Sequence, residues 1–153
     1  MIKLSEMSKT EIRSAVIQVL MEKEFPSESA ITNEAHLVFQ YYCEMESGGH
    51  EGLLRWKSQY IKDIGITVYL AKLTAILKKI NAFQYAAILE EYGEEMWNLF
   101  VALEKGEIDE DQFYEIVHKA DYRYYHLNDE IDFLIENYFS EIYEQLTNEG
   151  SPS

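Results

Sequence analysis

The chain has 153 residues, 47% of them apolar and 14% aromatic, and a formal net charge of −15. So many aromatics exclude an acidic disordered chain and supply the core of one domain, while the charge disfavours direct binding of nucleic acid or of an anionic membrane. A single cysteine, Cys43, excludes an intramolecular disulfide framework and a cysteine-based zinc site.

Apolar residues recur at helical spacing nearly throughout, and proline occurs only at Pro26 and Pro152, so the sequence predicts an all-α, single compact domain of six to eight helices over residues 1–147. The first helix opens at Ser8, with Glu11 completing a capping box and Ile12, Ala15, Val16, Val19 and Leu20 forming one stripe. A loop over residues 25–30 precedes a second helix, 31–45. Cys43 falls there among Phe39, Tyr41, Tyr42 and Met45 and is expected to be a buried, inert thiol.

Ser47-Gly48-Gly49 is expected to stop that helix, since paired glycines allow positive φ and a tight reversal. A short helix with Leu53, Leu54, Trp56 and Tyr60 follows, then a break at Gly65 and a helix over about 67–80, ended by Asn81. Residues 83–104 read as one long helix, or as two broken near Gly93. Asp109 with Gln112 forms a second capping box, opening a helix to about Tyr122. Asn128 is expected to cap the last helix, with Ile131, Leu134, Ile135, Tyr138, Ile142 and Leu146 inward, and residues 148–153 to form a disordered tail.

The charge is distributed unevenly along this scaffold. Residues 1–81 balance ten acids with ten bases, whereas the remaining 72 carry eighteen acids against Lys105, Lys119 and Arg123 alone. Some of these acids are explained by helix starts: Asp109, Glu110, Asp111, Asp129, Glu130 and Asp132 complement the macrodipole by about 0.3–1 kcal/mol each. What remains is the lack of any Lys or Arg from 83 to 104 and from 124 to 153, because an ordinary solvated helix face mixes both signs. Carboxylates at helical i, i+3 and i+4 lie ~5–6 Å apart, close to the phosphate spacing of a nucleic-acid strand, so such a surface can imitate a phosphate row. The residues expected to meet a basic partner are Glu90, Glu91, Glu94, Glu95, Asp129, Asp132, Glu136 and Glu144, with Tyr85, Tyr92, Tyr122, Tyr124 and Tyr125 adding contact area.

Residues for chemistry are sparse. Glu115 and His118 have the Glu-x-x-His spacing of di-iron bundles, but no second such pair accompanies them. His118, Asp121 and His126 are of the types that bind a metal, and His36 with Glu34 offers acid–base chemistry, yet neither spacing is diagnostic. The basic cluster Arg55, Lys57, Lys62, Lys72, Lys78 and Lys79 is offset by nearby acids and leaves open a salt-sensitive homodimer in which it docks on a second acidic half. The amino-terminal MIKLSEMSKTEIRS has no apolar core of a signal peptide, and no run of ~18 apolar residues occurs, so a cytoplasmic location is expected.

Three segments, Glu46-Ser47-Gly48-Gly49-His50, Leu73 to Leu89 and Leu127 to Phe133, resemble in order and spacing a small helical bacterial domain family whose founder is described as an acidic DNA-mimic protein. In the first segment only Gly48 and Gly49 match the family pattern, with Ser47, His50, Gly52, Leu53 and Trp56 at the other places; in the second, Asn81 stands where glycine is usual. The resemblance implies an all-α monodomain, often dimeric, without known catalytic residues and, from the founder, binding of a DNA-binding protein through a negative surface. The expectation is therefore a non-enzymatic acidic binding protein without cofactor or metal. Its partner would be a basic DNA- or RNA-binding protein such as a transcriptional repressor. The alternatives are an immunity protein against a basic nuclease toxin and a metal-dependent enzyme using Glu115 and His118.

Overall fold

In the computed structural model, which describes residues 6–149, Ser8 opens α1 (Lys9–Glu22) through the expected capping box. Its hydroxyl accepts from the Glu11 N–H at 3.1 Å while the Glu11 carboxylate accepts from the Ser8 N–H. Two otherwise unsatisfied donors of the first turn are thereby paired, and Ile12, Val16 and Leu20 form the buried stripe.

The next helix departs from expectation. α2 (Ala30–Trp56), capped by Ser29, does not stop at Ser47-Gly48-Gly49 but continues through a kink at Gly49, whose φ of 64° and ψ of −159° lie outside the helical region. Glycine permits the bend through the positive φ expected of this pair, and helical hydrogen bonding resumes on its far side. Leu53 and Leu54 are buried beyond the kink, whereas Trp56 is exposed. Cys43 is also exposed, contrary to expectation. Tyr41 and Met45 point into the core, and a residue two positions from each is rotated by about 200° to the opposite side.

α3 (Ser58–Ile64) and α4 (Ile66–Lys79) are separated at Gly65, which has φ of 90°. α5 (Phe83–Glu104) runs unbroken through Gly93. A Cβ at Gly93 would lie 2.8 Å from a Leu70 methyl, so this glycine serves the close approach of α4 and α5 and not a break. Asp109 caps α6 (Glu110–Tyr125) with one bond, accepting from the Asp111 N–H at 3.2 Å. Ahead of α7 (Glu130–Glu149), Asn128 and Asp129 both take left-handed φ, 54° and 60°, so the helix begins later than predicted and Asn128 belongs to the turn. Tyr85 of α5 assists that helix start, its hydroxyl accepting from the Ile131 N–H at 3.1 Å. α7 includes residues 148 and 149 of the predicted tail; the rest of the tail lies outside the described residues.

The described residues form seven helices and no strand. α2 is central: it packs on α1, α3, α4, α6 and α7, while α5 rests on α4 and α6, and α1 covers α7. Tyr41, Tyr69, Tyr85, Tyr124, Phe113 and Phe139 are the largest wholly buried side chains, and Tyr124 sits edge-on to Tyr41, Tyr85 and His50. Tyr85 and Tyr124, expected as contact residues, are thus core, because each faces α2 or α7 from its own helix. Tyr92 is half-buried; only Tyr122 and Tyr125 of the expected set are fully on the surface. No described helix is long and apolar enough to cross a membrane.

Candidate functional site

The two helices without Lys or Arg are compensated differently. On α5, Glu90 lies 3.0 Å from Lys78 of α4, Glu91 pairs with Arg123 of α6, and Glu94 accepts from the Thr67 hydroxyl at 3.2 Å. Glu104, at the end of the same helix, is 3.3 Å from Lys62 of α3. Neighbouring helices thus supply the bases that α5 itself lacks, and Glu95 alone of the four expected contact residues here has no ion pair or hydrogen bond among the described residues. The basic cluster expected to face a second copy is in large part the source: Lys62, Lys78 and Lys79 pair within the chain, Lys79 with Glu34 at 2.8 Å, and Arg55 bonds Glu51.

On α7 the expected contact residues divide. Asp132 is turned toward α1 and α2, where Arg13 approaches to 2.8 Å and the Tyr42 hydroxyl donates at 2.8 Å. The Arg13 bond, then that from Tyr42, holds the Asp132 carboxyl below its ordinary value; burial, then the same hydrogen bond, pushes Tyr42 up to about 12. Glu136 accepts from Thr10 of α1 at 3.4 Å. By contrast Asp129 and Glu144, and with them Glu130 and Glu141, are exposed and meet no base among the described residues. At ~100° per residue, Glu130, Glu141 and Glu144 fall within about 60° of arc, a stripe shared by Phe133 and Asn137. Lys9 of α1 reaches this stripe but binds the Asn137 amide, at 2.7 Å, and lies over the Phe133 ring, leaving the carboxylates unpaired. Sequence reasoning assigned Glu130 only to the helix start and overlooked Glu141, although their shared arc was legible.

The Gly48-Gly49 turn joins α2 to α6. A Cβ on Gly49 would lie 2.8 Å from Asp121 Oδ2, and Asp121 Oδ1 accepts both from the His50 N–H at 2.9 Å and from His50 Nδ1 at 2.7 Å. The ring is wholly buried, and its Nδ1 faces a carboxylate that can only accept, so Nδ1 carries the proton. Gly48 faces open space; Gly49 alone is sterically required. One turn along α6, the Tyr124 hydroxyl donates to Glu46 at 3.2 Å. Burial, with nearby Tyr41 and Glu46, pushes that hydroxyl far above its ordinary value.

The residues considered for chemistry lie apart. Glu115 is exposed, 3.9 Å from Lys119, and His118 stacks on Tyr114. His126 Nδ1 is 2.8 Å from the Tyr122 carbonyl, and Asp121 is bound to His50; no group of three or more His, Cys, Asp or Glu suited to a metal occurs among the described residues. Glu34 is held by Lys79 and Tyr138, while burial, then the charges of Lys57 and Lys23, lowers buried His36 below its ordinary value.

A family model described as DMP19-like protein matches residues 28–144, from the turn before α2 into the last helix. No curated protein and no solved structure matches the chain.

Proposed function

The chain belongs to the DMP19-like family, whose founder is a DNA-mimic protein, and from that premise we propose that it is a non-enzymatic ligand of a basic DNA- or RNA-binding protein. The observation that carries this reading is the outward side of α7, where Glu130, Glu141 and Glu144, with Asp129 at the preceding turn, have no base among the described residues while most other acids of the chain's second half find a partner. Along a helix rising 1.5 Å per residue, Glu130 and Glu144 stand about 21 Å apart, a distance that spans several phosphates of a nucleic-acid strand. A cationic groove shaped for such a strand gains Coulomb attraction and loses it as salt rises. An immunity protein bound to a basic nuclease would use the same surface and differs only in the identity of the partner.

The test is retention of lysate proteins on the immobilised chain at ~0.05 M salt, followed by elution with ~0.5 M salt or with competing duplex DNA. Recovery of a nucleic-acid-binding protein that both treatments displace is the expected result. Recovery of none, or retention indifferent to salt and duplex, overturns the reading.

A further inference from the structure

Twice within this chain an arginine is held by a tyrosine ring together with a carboxylate. Arg13 lies 5.5 Å from the centre of the Tyr42 ring and 2.8 Å from Asp132, and Arg123 lies 5.6 Å from the centre of the Tyr92 ring while pairing with Glu91. A guanidinium suits both partners, stacking flat on the ring and presenting a fork of donors to the carboxylate.

A third set of similar groups, one ring with two carboxylates, has no arginine among the described residues. Asp121 and Tyr125 are one turn apart on α6, and Glu46 is drawn to the same place by the Tyr124 hydroxyl, whose ring centre is 5.5 Å from that of Tyr125. Burial, then the Asp121 and Glu46 carboxylates, raises the Tyr125 hydroxyl above its ordinary value, in keeping with that proximity. Tyr125 is 56% exposed and neighbouring Tyr122 65%, so both rings stand at the surface. Neither Glu46 nor Asp121 has a Lys or Arg partner among the described residues. Asp121 is held at the Gly49 kink by two bonds from His50, both to Oδ1, while Oδ2 lies beside Gly49 and accepts no hydrogen bond among the described residues. The set also adjoins the start of α7: Tyr85, edge-on to Tyr124, accepts from the Ile131 N–H at 3.1 Å.

We propose that Glu46, Asp121 and Tyr125 receive an arginine side chain of a basic partner protein, the guanidinium lying on the Tyr125 ring and bonding the two carboxylates. The assignment rests on the reading of the chain as a ligand of a basic protein and adds to it a preference for arginine over lysine. Lysine carries the same charge, but a rounder, more strongly hydrated ammonium gains less from a ring face and no bidentate bond.

The full chain is titrated by fluorescence anisotropy into labelled oligo-arginine and oligo-lysine peptides of equal length at low salt. The expected result is tighter binding of oligo-arginine, a loss of about two- to fivefold in that affinity with Tyr125→Ala, little change for oligo-lysine, and retention of the wild-type preference with Tyr125→Phe, which keeps the ring. Both peptides binding, with Tyr125→Ala leaving the arginine preference intact or weakening the two alike, overturns the arginine site and leaves the acidic-ligand reading standing. Failure of the wild-type chain to bind either peptide overturns both.

Discussion

α5 and α7 carry the same mark in the sequence, a long acidic helix without Lys or Arg, yet they end in different electrostatic states. α5 lies between α4 and α6 and receives Lys78 and Arg123 from them, with Lys62 reaching its end, so its charges are mostly balanced in place. α7 lies on α1 and α2, which supply Arg13 to Asp132 and the Thr10 hydroxyl to Glu136 but no base to Glu130, Glu141 or Glu144. Whether a one-signed helix makes a one-signed surface is therefore decided by its neighbours in space and not by its own composition. A negative surface should be judged after intramolecular pairing is subtracted.

That contrast can be broken most directly by exchanging charge on each helix. Reversal of Glu130, Glu141 and Glu144 to Lys should lower retention of a nucleic-acid-binding partner by at least ~10-fold in a salt-dependent pull-down while the melting temperature stays near the wild-type value. The same reversal at Glu90, Glu91 and Glu94 should act first on stability, by about 1 kcal/mol in urea unfolding, since it opposes Lys78 and Arg123 with like charge. Equal losses of retention from the two triples, with stability untouched in both, would show that the pairing seen on α5 has no energetic meaning.

Asp132→Asn sharpens the comparison within α7 itself. Its carboxylate is 46% exposed, so the Arg13 and Tyr42 bonds are screened and the expected cost is about 1 kcal/mol, against less than ~0.5 kcal/mol for Glu144→Gln. The pH dependence has a definite sign: Asp132 sits below its ordinary 3.8 in the folded chain, so the unfolded chain binds that proton more readily. Its contribution is present above about pH 4 and is lost as the pH falls through the lowered folded value, and Asp132→Asn should flatten that part of the acid limb. A smaller effect is expected higher on the scale. His36 is lowered from 6.5, chiefly by burial, so stability should decline as the pH falls from 6.5 toward its folded value, a slope that His36→Gln removes.

Much of the architecture was legible because it is local. The Ser8 capping box, the Gly65 break, the α5 span and the inward positions of α7 follow from spacing within a turn or two, which a sequence displays directly. What stays hidden has the opposite cause. Gly93 leaves a break open until Leu70 is seen packed against it, and the Gly48-Gly49 pair, whose positive φ is met at Gly49, gives no sign of the Asp121 carboxylate that fills the space beside it. Likewise Asp132 and Glu136 fall on the polar arc of α7 by helical geometry, but a second helix, α1, covers part of that arc. Nothing in the spacing of His50 and Asp121 announces their contact, and the preference for Glu130 and Glu141 over Asp132 emerges only when the pairs are known.

The joint at Gly49 also constrains how the chain can vary. Any side chain at position 49 would meet the Asp121 carboxylate as well as an unfavourable backbone angle, and any shortening at position 121 would strip a wholly buried histidine of its acceptor. Two positions far apart in the chain thus constrain each other unequally: a smaller residue at 121 would relieve the clash of a side chain at 49 but not its backbone angle, so glycine is required at 49 whatever stands at 121.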